Sequence, residues 1–184
     1  MFKGNRMKHI LFKLFILGLF FYTNIQAAER SYKIELIVFT QDDASTEVFE
    51  QIESNIDWPR KIAIRSEFEN VDTTDLSLKE SYSKLAGDNG YQPLLYEAWI
   101  QKVKANSYSR AVRISNAEGT IQGFFMLQRG HLIHMIADIE YSPEMYEEPT
   151  IYRLNEKRRF KLNETHYLDH PKFGMLVKVS PIGG

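Results

Sequence analysis

Alternation of apolar and polar residues recurs along the chain, and helical spacing is clearest in one place. Residues 32–39 (YKIELIVF) set Ile34, Leu36 and Val38 on one side and Lys33 and Glu35 on the other, the two-residue period of a strand. Beyond Glu35 both sides turn apolar, which predicts a central strand covered on two faces. Residues 91–103 form a second strand running on from Pro93, with Leu95, Trp99 and Val103 on one parity and Tyr96, Ala98 and Ile100 on the other. Residues 120–128 and 131–141 read as a hairpin around Arg129-Gly130. In its second arm Ile133, Met135, Ala137 and Ile139 alternate with His134, Asp138 and Glu140, although Leu132 and Ile136 join the polar side. A buried helix is the competing reading there, weakened by Gly123 and Gly130. Residues 151–162 are two-faced: Tyr152, Leu154, Glu156, Arg158, Phe160 and Leu162 on one side, Arg153, Asn155, Lys157, Arg159 and Lys161 on the other. A connection over 163–171 and a last strand over 173–179 complete the series.

Helical spacing is strongest over Ser77–Gly87. Ser77-x-x-Glu80 has the form of a capping box, in which the two side chains satisfy orphaned backbone donors of the first turn. Leu78, Tyr82 and Leu85 follow at i, i+4 and i+7 and give one apolar face. Gly87 is placed to cap the end, before an Asp88-Asn89-Gly90 turn. A second, shorter helix is expected over 46–56, with Val48, Phe49, Ile52 and Ile56 on one side, ended by Asp57-Trp58-Pro59; residues 67–75 read as a loop. The sum is an α+β fold: a mainly antiparallel sheet with one or two helices packed on one face, compatible with a ferredoxin-like-related arrangement.

The N-terminus departs from this pattern. Lys3, Arg6 and Lys8 precede an apolar run from Ile10 to Phe21, interrupted by Lys13 and Gly18, and a polar stretch ends in Ala27-Ala28. These are the parts of a secretory signal peptide, with cleavage expected after Ala27 and Ala28 as the other position; an uncleaved N-terminal anchor is the alternative reading. The run is too short and broken for a transmembrane helix, which needs about 20 apolar residues. The expected organisation is therefore a signal peptide at 1–27 and a single periplasmic domain at 28–184, with no membrane span after cleavage. The full chain of 184 residues has 23 basic and 24 acidic residues and a formal charge of −1. The leader holds Lys3, Arg6, Lys8 and Lys13 and no acid, so the mature domain stands at −5. Such a balance argues against a nucleic-acid partner. The chain has no cysteine, which excludes disulfides, thiolate chemistry and a lipidated cysteine.

Catalytic signatures are weak. His131, His134, His166, Asp169 and His170 are nominal metal ligands, but His131 and His134 are three apart on an expected strand and point to opposite faces, and no HExxH is present. No GxSxG elbow, P-loop or dinucleotide fingerprint appears. Glu147-Glu148 beside Pro149 reads as a solvated surface rather than a glycosidase pair. The reading is of a non-enzyme without metal or cofactor. The stripe Arg153, Lys157, Arg159 and Lys161 is more informative. Alternate residues of a strand share a face, and like charges so close are costly unless anions oppose them. The stripe reads either as an edge strand defended against aggregation or as a face for carboxylates, which arginine binds with paired hydrogen bonds. Trp99 is expected in the core, whereas Trp58 is either exposed or a staple between loop and sheet.

Several segments resemble one family. They are Ile34–Phe39 followed by Trp58-Pro59, Leu94–Gln101 (LLYEAWIQ), the hairpin Gly119–Tyr141 with His131-Leu132-Ile133-His134, and above all Leu154–Arg159 followed by Asn163–Gly174 (NETHYLDHPKFG). The last is similar to the "ESRR…GE-x-HYxDHPxFG" signature of CsiV-type peptidoglycan-binding proteins. Asn163 stands where that signature more often has Gly, and Asn155 and Lys157 flank Glu156 where small residues are commoner. The resemblance implies a periplasmic, non-enzymatic protein that binds peptidoglycan. It also implies support for regulation of a peptidoglycan synthase through its outer-membrane lipoprotein activator. An envelope adaptor without wall affinity and a periplasmic hydrolase are the alternatives. Local chemistry nominates Arg153, Lys157, Arg159 and Lys161 to meet anionic groups, with His166, Tyr167 and Asp169 organising the neighbouring connection.

Overall fold

The computed structural model describes residues 28–41, 51–143 and 150–183. The expected leader (1–27), the first part of the helix expected at 46–56 and the Glu147-Glu148 pair lie outside the described residues. Among the described residues, eleven strands and one α-helix follow in order: β1 (Glu29–Gln41), β2 (Ile62–Ala63), β3 (Glu69–Asn70), α1 (Lys79–Gly87), β4 (Tyr91–Lys104), β5 (Ser107–Tyr108), β6 (Ala111–Ser115), β7 (Ile121–Arg129), β8 (Ile133–Tyr141), β9 (Tyr152–Arg159), β10 (Thr165–His170) and β11 (Phe173–Ile182). The α+β, mainly antiparallel expectation holds, but the strands divide between two sheets. The first runs β10-β11-β1-β4-β3; the second runs β2-β6-β7-β8-β9, with β5 also on β7. Among the described residues, only β2 and β6 pair in parallel. The long strands that precede and follow α1 in the chain, β1 and β4, are antiparallel neighbours, and so are β4 and the short β3 directly before the helix. This differs from a ferredoxin-like unit, where the strands around a crossover helix run parallel.

The inner faces of the two sheets meet in one core. Ile34, Leu36 and Val38 of β1, Trp99 and Val103 of β4, and Met175, Val177 and Val179 of β11 face Phe125 and Leu127 of β7 and Met135, Ala137 and Ile139 of β8. Trp99 is fully buried and meets Phe125 edge-on at 6.0 Å. The double-sided apolarity of β1 has a direct cause. It lies between β11 and β4, and its other face carries Ile37 and Phe39 under α1, where they pack with Leu78. Each such buried side chain contributes roughly 1.5–3 kcal/mol.

The cap of α1 differs from the expected capping box. Leu78, not Ser77, is the N-cap residue, and no cap side chain bonds back to the helix. The acceptor comes from β1 instead. Glu35, fully buried, takes the Leu78 N–H at 3.0 Å, the Ser77 hydroxyl at 2.5 Å and the Tyr96 hydroxyl at 2.9 Å, with Lys33 Nζ at 3.1 Å. Burial pushes the Glu35 carboxyl up, but the hydrogen bonds from Ser77, Leu78 and Tyr96 outweigh it and hold the group below the ordinary carboxylate range. Glu80 pairs with Lys84 on the surface. Gly87 is the last helical residue, and Asp88 Oδ1 accepts from the Gly90 N–H at 2.8 Å to form the expected turn.

Two further differences concern short segments. The described part of the expected second helix, residues 51–56, is not helical. Gln51 forms an isolated bridge with Ile151, Ile52 is exposed, and the chain then crosses the outer face of the second sheet. There the Asn55 N–H donates to Glu140 at 2.8 Å, and Trp58 packs on Phe124 with the Arg113 guanidinium 5.0 Å from its ring. The expected connection at 163–171 contains β10, which closes a hairpin with β11.

Candidate functional site

The signature segment NETHYLDHPKFG builds the β10–β11 hairpin and fixes the end of β1 beside it. Strand alternation places Tyr167 and Asp169 on the outer face of the first sheet, opposite Leu176 and Gly174, while His166, Leu168 and His170 share the parity of the core residues. Gln41, the last residue of β1, is held on three sides. Its amide nitrogen donates to Asp169 Oδ1 and to the His170 carbonyl, both at 2.7 Å, and its backbone N–H donates to the Lys172 carbonyl at 3.2 Å. The Tyr167 phenol lies 2.7 Å from Gln41 Oε1 and 2.6 Å from Asp169 Oδ1 and shares its single proton between them. Burial, then the carboxylate of Asp169, raises the Tyr167 phenol above its ordinary range and keeps it protonated.

The glycine of this segment is required by close approach. The Tyr167 ring stacks on Phe39 with centroids 6.1 Å apart, and a Cβ on Gly174 would lie 2.7 Å from both rings. Asn163, standing in the usual Gly position of the signature, has φ 65°. Asparagine is among the residues that best tolerate this left-handed conformation, so the departure preserves the turn.

On the inner side of the same hairpin, aromatic rings gather at one end of the sandwich. Tyr141 and Tyr152 face each other across β8 and β9 with centroids 6.3 Å apart. Tyr152 contacts the His170 ring at 5.8 Å, and His170 contacts Phe173 at 5.1 Å. Burial lowers the His170 pKa, against the opposing charge of Asp169, and the neutral ring accepts the Lys172 N–H on Nδ1 at 3.2 Å. Beside these rings opens a groove of about 390 Å³, bordered by Thr40 and Gln41, the Asn89-Gly90 turn, Tyr91 and Gln92, and by Tyr141, Pro143, Tyr152 and Lys172. That volume falls within the range of about 300–1,000 Å³ common to small-molecule sites.

The cationic stripe lies elsewhere. Arg153, Asn155, Lys157 and Arg159 occupy the outer face of the second sheet, paired in register with Glu140, Asp138, Ile136 and His134. Arg153 makes two hydrogen bonds of 2.7 Å to Asp138, a bidentate pair that raises its pKa; Asn155 adds a third contact to Asp138 at 3.2 Å. Lys157 Nζ lies 5.7 Å from the Tyr108 ring centre. Arg159 is exposed and makes no ion pair among the described residues, and Lys161 pairs loosely with Glu164 at 3.3 Å. His166 Nε2 meets the Lys161 carbonyl at 2.9 Å, and its ring lies edge-on to Phe160.

The seven nominated residues therefore fall into three sets. Arg153, Lys157 and Arg159 share one outer face, Tyr167 and Asp169 share the other, and Lys161 and His166 stand at the edge between β9 and β10. Arg158 joins the groups there by donating to the Tyr167 carbonyl at 2.6 Å. Among the described residues, no three histidine or acidic side chains are grouped to hold a metal ion. Sequence reasoning missed Gln41 and the groove tyrosines. Tyrosines at strand ends were the only local sign of the groove, and it takes the strand register to bring them together.

A two-sheet sandwich with a tyrosine-and-amide groove at one end has the outline of a binding module. A family model described as "Peptidoglycan-binding protein, CsiV" matches residues 60–182, and the chain belongs to this family. The matched range begins after β1 and Trp58-Pro59 and includes the whole β10–β11 hairpin. No curated protein and no solved structure matches the chain.

Proposed function

We propose that the mature domain is a non-enzymatic peptidoglycan-binding protein of the periplasm. In this reading it supports regulation of a peptidoglycan synthase through that enzyme's outer-membrane lipoprotein activator. The observation that carries the proposal is the family match, over more than half the chain, to peptidoglycan-binding proteins. The leader-like segment at 1–27 supports export, and no helix among the described residues is long and apolar enough to cross a membrane. Lys157, Arg159 and Lys161 supply exposed cations for the carboxylates of stem peptides. Arg153, held by Asp138, sets the geometry of that face, and His166, Tyr167 and Asp169 fix the adjoining hairpin.

Co-sedimentation with purified sacculi tests the reading. The mature protein should pellet with sacculi at low and moderate salt. Recovery in the supernatant alone, together with a specific envelope partner in crosslinking, would instead identify an adaptor; release of muropeptides would identify a hydrolase. Arg159→Glu should weaken pelleting more than Lys104→Glu, and equal losses would remove the stripe from the binding face.

A further inference from the structure

We propose that the groove at the mouth of the sandwich binds the glycan chain of peptidoglycan, taking N-acetylated sugar rings rather than stem peptides. This rests on the peptidoglycan-binding reading and names the part of the polymer that the groove recognises. Its lining carries the choice. Among the described residues, Tyr91, Tyr141 and Tyr152 share it with three side-chain amides, Gln41, Asn89 and Gln92, and Lys172 is the one charged side chain. A pyranose ring has apolar C–H faces and an edge of hydroxyl and acetamido groups. Aromatic faces suit the first, and amides, which both donate and accept, suit the second. A stem peptide carries several carboxylates and would call for a cluster of cations.

The other described grooves have a different character. One of about 490 Å³ is bordered by Glu29, Glu67 and Glu69 together with Lys102, Lys104 and Arg110, and another of about 470 Å³ contains the Arg65–Glu97 ion pair. Both carry several charged side chains of opposite sign.

The mouth is also preorganised. Tyr91 is about two-fifths exposed, yet its ring is seated edge-on against Phe39 at 5.7 Å, so a face can be offered to a ligand with little further ordering. Gln41, locked by Asp169 and the His170 carbonyl, fixes the wall beside it. The signature hairpin thereby acts as a buttress for the groove.

The test uses the mature protein with three probes: a soluble β-1,4-linked N-acetylglucosamine tetramer, a synthetic stem peptide, and sacculi. Calorimetry should show the tetramer binding and the stem peptide failing to displace it. Tyr91→Ala should weaken tetramer binding about tenfold, near the upper range for one aromatic contact. Gln92→Ala should weaken it less, and Lys104→Glu, away from this groove, should leave it unchanged. Both groove positions are at the surface, and an unchanged unfolding midpoint confirms that each variant is folded. A protein that pellets with sacculi but does not bind the tetramer overturns the glycan assignment and leaves the wall-binding reading standing. Tetramer binding that ignores both groove substitutions also overturns the assignment. Tyr91-dependent tetramer binding without sacculus pelleting keeps the sugar site and removes the wall-binding function.

Discussion

Replacing Glu35 separates two ways in which α1 could be held on the sheet. If apolar contact through Leu78 and Leu85 suffices, the carboxylate is dispensable. If Glu35 supplies the missing cap, its loss leaves several donors without an acceptor. The Ser77 and Tyr96 hydroxyls can turn elsewhere, and Lys33 is partly exposed and also donates to the Asp75 carbonyl. The Leu78 N–H has no such freedom. A hydrogen bond to a charged group contributes about 1.5–3 kcal/mol, and removing one member of a buried charged network costs about 3–5 kcal/mol. Glu35→Ala should therefore destabilise the domain by about 3–5 kcal/mol. Glu35→Gln can keep one oxygen toward Leu78 and Tyr96 and loses chiefly the charge, so about 1–2 kcal/mol is expected. Urea denaturation followed by the fluorescence of buried Trp99 measures both, and hydrogen exchange over 79–87 reports the helix itself. A loss under about 1 kcal/mol for the alanine variant would refute the capping role. The pH dependence gives a second check. The folded pKa of Glu35 lies below its ordinary 4.5, so its contribution is complete above 4.5 and disappears as pH falls through the folded value. Glu35→Ala should lose that portion of the acid sensitivity.

Gly174→Ala would drive a methyl into Phe39 and Tyr167 and should cost about 1–3 kcal/mol in a denaturation midpoint, whereas Gly87→Ala, with open space around the added Cβ at the end of α1, should stabilise by about 0.5 kcal/mol. His170 has a folded pKa below its ordinary 6.5, so its contribution is complete above 6.5 and is lost as pH falls through the lower folded value. His170→Gln cannot titrate, and the slope of stability against pH below 6.5 should flatten in that variant, as read by urea midpoints on either side of that value.

Elements with a long buried face were legible in the sequence. β1, β4, the β7–β8 hairpin and β11 each alternate over several residues, and the three apolar positions of α1 identify its span. β10 was missed because it is an edge strand with one fully buried side chain, Leu168, between polar neighbours. A capping box at Ser77 and Glu80 was a reasonable local reading, but the acceptor lies 42 residues away from Ser77, on β1. The stripe on β9 was visible as a run of cations, while the engagement of Arg153 by Asp138 depends on the β8–β9 register. Likewise Tyr141, Tyr152, Tyr91 and Gln41 come from separate strands and meet only at the end of the folded sandwich. Local pattern records which face of a strand is buried; it carries no record of which distant strand lies alongside.

The pairing of β1 has a consequence for the order of assembly. Its one edge joins β4, but its other edge joins β11 along nearly its full length, from Ser31 opposite Ile182 to Thr40 opposite Phe173. The first sheet cannot close until the C-terminal strand is available, and such a sequence-distant contact makes folding late and slow. A chain threaded through a membrane pore from its N-terminus would therefore stay open during passage and complete its central sheet only after residue 182 had emerged.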